Sequence, residues 1–132
     1  MNSVLCVDDD PTALSIQSIL LKNSKFCSTV FTKAHGKEAL EFYDDLVSKN
    51  DPSLGHPSII FLDLNMPVMD GWAFLESFQS DYFSKFPDTV VYILSSSVDP
   101  NDMTRAKTFP FVKGFISKPI TKEFLLKIKS EG

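Results

Sequence analysis

One aspartate follows a run of apolar residues and is the first candidate for chemistry. Residues 59–62 read Ile-Ile-Phe-Leu, and Asp63 comes directly after them. A continuous apolar run of this length is typical of a strand that is buried on both faces of a parallel sheet. Met66-Pro67 then turns the chain away, because proline cannot donate a hydrogen bond to a sheet. We therefore expect Asp63 at the carboxyl edge of the sheet, where open α/β folds bind ligands.

Polar side chains follow four of the predicted strands. They are Asp8 and Asp9, Asp63, Ser95, and Lys118. Three carboxylates in one crevice repel each other, and a divalent cation relieves the repulsion. Oxygen ligands without thiols or imidazoles favour Mg²⁺ over zinc. The set predicts a magnesium site where Asp63 attacks phosphorus, with Lys118 and Ser95 holding phosphoryl oxygens.

Each of these side chains also has a simpler interpretation. The acidic triplet could be a helix cap, but one aspartate is enough for a cap, and Asp10 before Pro11 provides it. That leaves Asp8 and Asp9 to be explained, and we assign them to the cation. Lys118 could be an ordinary surface lysine and Ser95 an ordinary strand-end serine. The neighbouring residues 96 and 97 are also serines, so the choice of hydroxyl stays open.

Strands and helices alternate five times along the chain. The predicted strands are 3–7, 27–32, 59–63, 89–94 and 114–117, and the helices begin at Pro11, Gly36, about Asp70, Pro100 and after Thr121. This alternation predicts a parallel sheet, and helices lie on both of its faces because each crossover is right-handed. Five strands favour the flavodoxin-like order 2-1-3-4-5. On the first helix, the predicted apolar stripe is Ala13, Ile16, Ile19 and Leu20.

Composition limits the class of protein. The 132 residues are 43% hydrophobic and 23% charged, as expected for one globular domain over 1–132. The net charge of −4 argues against direct nucleic-acid binding, and no apolar run is long enough to cross a membrane. A strand begins almost at Met1, so we expect no secretory signal and a cytoplasmic chain. Cys6 and Cys27 are then expected to be reduced thiols.

The segment from Asp63 to Gly71 matches the pattern D-x-x-M-P-x-x-D-G at every fixed position. This pattern resembles the CheY-like response-regulator receiver domains, and the resemblance extends over essentially the whole chain. It implies that Asp63 accepts a phosphoryl group from a histidine kinase or phosphotransfer protein. It also implies that Asp9 binds Mg²⁺ directly and that Asp8 acts through metal-bound water. The backbone carbonyl of Asn65 would be a further metal ligand.

The same resemblance implies a switch. Residues 93–96 are similar to the family strand that ends in threonine or serine, and Lys118-Pro119 matches the family lysine followed by a cis-proline. Ser95 would move toward the phosphate, and Phe115 would swing inward. The face of the fourth helix, fifth strand and last helix would then bind an unknown output protein or a second copy of the chain. The candidate contacts on this face are Lys107, Lys113, Lys122 and Phe111.

Two other functions compete with this one. Residues 7–12 also resemble the D-x-D-x-T motif of haloacid-dehalogenase phosphatases, in which Asp8 would be the nucleophile and Asp10 the general acid/base. That family needs an acidic pair after its lysine, and only Glu123 and Glu131, which are far apart, follow Lys118. A receiver-like scaffold that binds partners without phosphorylation is the third possibility. The receiver interpretation predicts no turnover enzyme, only Mg²⁺-dependent self-phosphorylation of Asp63 and slow autodephosphorylation.

Overall fold

The computed structural model describes residues 3–49, 55–64, 70–96 and 99–131 of the chain. Within these ranges, five strands alternate with five helices. In chain order they are β1 Ser3–Val7, α1 Pro11–Asn23, β2 Thr29–Lys33, α2 Gly36–Lys49, β3 Ile59–Asp63, α3 Gly71–Asp81, β4 Val90–Ser95, α4 Pro100–Ala106, β5 Val112–Ser117 and α5 Lys122–Glu131. The strands form one parallel sheet in the order β2-β1-β3-β4-β5. The predicted α/β fold and strand order are confirmed.

Helices cover both faces of the sheet. On one face, α2 and α3 pack through a core that includes Tyr43, Phe74 and Phe78. On the other face, α1 and α5 pack through Leu21 and Leu125. Each face therefore has its own apolar core, as a doubly wound sheet requires.

Burial within the sheet decreases toward its two edges. All five residues of β3 are buried, because β3 lies at the centre and has helices over both faces. In β4 four of six residues are buried, whereas the edge strand β5 is mostly half-buried. The opposite edge strand, β2, has no fully buried residue. The apolar run that identified β3 in the sequence thus marks the centre of the molecule.

Aspartates begin three of the helices. The carboxylate of Asp10 accepts a hydrogen bond from the Thr12 N–H at 3.0 Å, ahead of α1. Asp70 and Asp99 cap α3 and α4 in the same manner. Each cap satisfies a backbone N–H that has no partner within the helix. Helix starts at Pro11 and Pro100 are therefore as predicted.

The predicted apolar stripe of α1 was wrong in part. Ile16 and Ile19 are 55% and 59% exposed. Gln17 and Leu21 are the buried residues instead, one position further round the helix. Apolar residues occupy more than one face of α1, so their spacing does not decide which face meets the sheet.

Within the described ranges, no helix combines the length and apolar character needed to cross a membrane.

The boundaries of three strands also differ from the prediction. β2 begins at Thr29 rather than Cys27, because the turn after α1 continues through Lys25, which has φ 57°. β4 runs from Val90 to Ser95, so Ser95 is its last residue rather than the residue after it. β5 begins at Val112, two residues early, and Lys113 is an extra residue of β5 between the pairs Val91–Val112 and Tyr92–Gly114.

Candidate functional site

Two carboxylates are buried side by side at the carboxyl edge of the sheet. The register pairs Val7 of β1 with Leu62 of β3, so the next residues, Asp8 and Asp63, lie level with each other. Asp8 is 1% exposed and Asp63 is 4% exposed. The Asp8 N–H donates to the Lys33 carbonyl at 3.1 Å, which fixes the turn out of β1. Buried carboxylates need charged or polar partners, and the next strands provide them.

Lys118 bridges the two buried carboxylates. Its Nζ lies 2.7 Å from Asp8 Oδ2 and 3.3 Å from Asp63 Oδ2. Burial alone would lower the pKa of Lys118, but the hydrogen bond to Asp8 and the charges of both aspartates raise the pKa above its usual value. The ammonium group is therefore charged at neutral pH.

The backbone beside Lys118 holds the side chain in place. The Lys118 N–H donates to the carbonyl oxygen of Ser95 at 2.8 Å and extends the pairing of β4 with β5. The peptide bond between Lys118 and Pro119 is cis, as the family resemblance implied. Ser95 is buried at the end of β4, opposite Ser117 of β5. The predicted hydroxyl, lysine and acceptor aspartate thus come from three adjacent strands.

Asp8, Asp9 and Asp63 each have an oxygen within 4.8 Å of the others. Asp9 is exposed, so this group opens to solvent on one side. Asp8 already accepts from Lys118 and, through Oδ1, from the Asp10 N–H at 3.0 Å. With the lysine included, the group has a formal excess of two negative charges. Hard oxygen ligands and this charge fit a divalent cation such as Mg²⁺.

Two further predicted residues are Asn65 and Phe115. Asn65, the predicted carbonyl ligand, falls outside the described residues. Phe115 of β5 is half-buried and packs against the core on the α2 and α3 side. Phe115 also lines a cavity of about 120 Å³ beneath α4, together with Met103 and Lys107. The structure therefore places an aromatic side chain beside an open space on the predicted switch face.

The prediction that Phe111 is a contact residue on that face was wrong. Phe111 is buried in the core, where its ring meets those of Phe78 and Phe83. It lies just before β5, and the early start of that strand brings its ring inward. The three predicted lysines, Lys107, Lys113 and Lys122, are exposed.

Two features near the site were not found from the sequence. A Cβ on Gly71 would lie 2.8 Å from Leu64 Cα and 2.9 Å from the Asp63 carbonyl oxygen, so only glycine fits without movement. The Asp70-Gly71 pair was a signal for this, although it indicated only a turn. Arg105 lies over the ring of Trp72, with 4.4 Å from Cζ to the ring centroid. No local pattern predicts that contact, because the two residues belong to different helices.

Comparison with known proteins gives consistent matches over nearly the whole chain. A family model described as the response regulator receiver domain matches residues 4–129. Protein PilG of Pseudomonas aeruginosa is 31% identical over 123 residues, which cover 93% of this chain and 81% of PilG. The two-component response regulator ARR12 of Arabidopsis thaliana is 30% identical over 125 residues, which cover 95% of this chain and 18% of that protein.

Solved structures agree with these sequence matches. A two-component response regulator from Cytophaga hutchinsonii has a TM-score of 0.88 and 27% identity, with 99% of this chain and 96% of that chain covered. The chemotaxis protein CheY4 of Vibrio cholerae has a TM-score of 0.76 and 28% identity, with 99% and 98% covered. Fold, sequence match and the acidic edge of the sheet agree, and the chain belongs to the response regulator receiver domain family of two-component systems.

Proposed function

We propose that this chain accepts a phosphoryl group on Asp63 from a histidine kinase or a phosphotransfer protein. The observation that carries the proposal is Lys118, whose Nζ joins two buried carboxylates while the exposed Asp9 completes an acidic group beside them. Receiver domains work with kinase or phosphotransfer partners, which supports this class of donor. We take residues 1–132 as a single receiver domain.

The transfer is a nucleophilic displacement at phosphorus. A carboxylate oxygen of Asp63 forms a bond to phosphorus while the bond from phosphorus to the imidazole nitrogen of the donor breaks. The electron pair of the broken bond leaves with the imidazole, which takes up a proton. The product is an acyl phosphate. Hydrolysis of this product is slow, so the chain acts as a switch rather than as a turnover enzyme.

The residues around Asp63 stabilise the transferred group by charge and hydrogen bonding. Lys118 donates to one phosphoryl oxygen from an ammonium group that already lies at the edge of the sheet. The Ser95 hydroxyl donates to another oxygen from the next strand. Asp9, Asp63 and the carbonyl of Asn65 would hold Mg²⁺ directly and Asp8 would act through metal-bound water, and the ion would supply positive charge to the phosphoryl oxygens when bound. The neighbouring strands fix these groups before the donor arrives, which lowers the cost of alignment.

Ser95 and Phe115 then change position and alter the surface of the domain. The new negative charge attracts the Ser95 hydroxyl, and the space it leaves admits the Phe115 ring. The surface of α4, β5 and α5 changes as a result, and Lys107, Lys113 and Lys122 are exposed on it. This surface binds an output protein, or a second copy of the chain in an activation-linked dimer. We place this exchange in the cytoplasm, without direct binding to nucleic acid or membrane.

The test is intact mass after incubation with acetyl phosphate, with and without Mg²⁺. The wild type should gain one phosphoryl group only with Mg²⁺, and Asp63→Asn should gain none. Asp45→Asn, an exposed aspartate on α2, is the matched control and should behave like the wild type.

Two outcomes would contradict the proposal in different directions. An adduct that survives Asp63→Asn but is lost in Asp8→Asn would favour the phosphatase mechanism. A wild type that forms no adduct and does not bind beryllofluoride, a phosphoryl analogue, would favour a scaffold that works without phosphorylation.

A further inference from the structure

Arg105, near the end of α4, contacts α3 at two points. Its Cζ lies 4.4 Å from the centroid of the Trp72 ring, and its Nη2 lies 3.3 Å from Glu76 Oε1. A guanidinium can stack on an aromatic face and bond to a carboxylate at the same time, which a lysine ammonium cannot do equally well. The phosphoryl chemistry proposed above uses none of these three side chains.

Among the described residues, few other contacts attach α4 to the rest of the molecule. The helix has seven residues, and Ala106 is the one described as buried. On the side toward β5, Met103 and Lys107 line the 120 Å³ cavity instead of packing tightly. The Phe109 ring, just after α4, stacks on Trp72 with 6.4 Å between centroids. Trp72 is therefore the main contact of α3 with α4 and the residue after it, and Arg105 adds a polar contact to Glu76.

Trp72 is also connected to the strand that carries Asp63. It follows Gly71, whose N–H donates to the Leu64 carbonyl at 2.9 Å. Gly71 packs so closely that a Cβ there would lie 2.9 Å from the Asp63 carbonyl oxygen. Backbone contacts of this kind transmit a displacement, because protein interiors are densely packed. A continuous series of contacts thus joins the end of β3, the start of α3 and α4.

We propose that Arg105 is a latch that holds α4 against α3 in the unphosphorylated chain. This inference rests on the proposed phosphorylation of Asp63, because it assigns a regulatory role to contacts outside that site. In this proposal, phosphorylation of Asp63 moves α4 away from Trp72 and so breaks both contacts of Arg105. By linkage, removal of the latch favours the phosphorylated state and tightens binding of a phosphoryl analogue at Asp63.

The size of the effect is modest because both polar partners are near solvent. The side chains of Arg105 and Glu76 are 50% and 65% exposed. Exposed cation–π contacts and ion pairs of this kind change an equilibrium by about threefold to tenfold.

The first experiment measures amide hydrogen exchange along α4 without phosphate. Arg105→Ala should speed exchange in residues 101–106 by about threefold to tenfold, and Arg105→Lys should fall between this variant and the wild type. Helix α5 is the internal reference and should not change. Lys85→Ala removes one exposed positive charge elsewhere and should behave like the wild type. Unchanged exchange in Arg105→Ala would overturn the latch.

The second experiment measures beryllofluoride binding with Mg²⁺ by titration calorimetry. Arg105→Ala should bind about threefold to tenfold more tightly than the wild type, and Lys85→Ala should match the wild type. Faster exchange with unchanged or weaker beryllofluoride binding would overturn the coupling between α4 and Asp63. A wild type that binds no beryllofluoride would instead overturn the proposed function, and that result is distinct from both failures of the latch.

Discussion

Replacing Lys118 with methionine should test the electrostatics of the site most directly. The ammonium is the cation that the structure places on Asp8 and Asp63, with Nζ–O separations of 2.7 and 3.3 Å. At an effective dielectric constant of about 20, these separations correspond to gross attractions of about 6 and about 5 kcal/mol. Methionine keeps most of the aliphatic stem and removes the charge. The substitution therefore isolates the ion pair from the packing.

The net effect is smaller than the gross attraction. Transfer of the ammonium out of water offsets much of it, and the Lys118 side chain is still 24% exposed. We expect Lys118→Met to lower the free energy of unfolding by about 3 kcal/mol without Mg²⁺, the low end for a buried pair that loses one partner. Urea unfolding in the presence of a chelator measures this. Lys122→Met, an exposed lysine on α5, should stay within about 0.5 kcal/mol of the wild type.

Addition of Mg²⁺ gives the second half of this prediction. Without the lysine, the acidic group has one more net negative charge, so Mg²⁺ should bind about tenfold more tightly. Mass action then returns part of the lost stability, and Mg²⁺ should stabilise the variant more than it stabilises the wild type. A variant as stable as the wild type in chelator, or one that Mg²⁺ does not stabilise more than the wild type, would refute the assigned role of the lysine.

Further predictions concern other parts of the fold. Gly71→Ala should destabilise the chain by about 1–3 kcal/mol in urea unfolding, because the new Cβ meets backbone atoms. Gly114→Ala should cost less, because its nearest neighbour is a tyrosine ring that can move. Burial raises the pKa of Cys6 to about 12 and also raises the pKa of Cys27, so both thiols should react slowly with a thiol reagent until urea unfolds the chain. Phe115→Ala should leave phosphoryl uptake intact but weaken the response of a partner, and equal loss of both would contradict the switch.

The parts of the structure that follow from local chemistry could be predicted from the sequence. The run at 59–62 located the central strand, because an uninterrupted apolar run of this length is typical of a strand buried on both faces. Alternation of strands and helices then restricted the topology, since parallel strands need crossovers of one hand. The polar residues at strand ends met at one edge for the same reason, and Asp8, Asp63 and Lys118 lie in contact there.

Features that depend on how elements dock were missed. α1 carries apolar residues on several faces, and the spacing of Ile16 and Ile19 did not reveal that they point to solvent. Phe111 was predicted to be a partner contact on the switch face, although three aromatic rings surround it in the core. The contact of Arg105 with Trp72 joins two helices, so no local period encodes it.

The outward decrease in burial across the sheet has a mechanical consequence. Asp63 lies on the strand that is buried along its whole length, Ser95 on the next, and Lys118 follows the half-buried edge strand. The free energy needed to open a segment locally falls as buried contacts become fewer. Among the described strands, the proposed acceptor therefore lies on the one whose residues are all buried, and Ser95 and Lys118 lie on or after strands that are less buried and open more easily. We therefore expect phosphorylation of Asp63 to deform the β5 edge of the sheet more than it deforms β3.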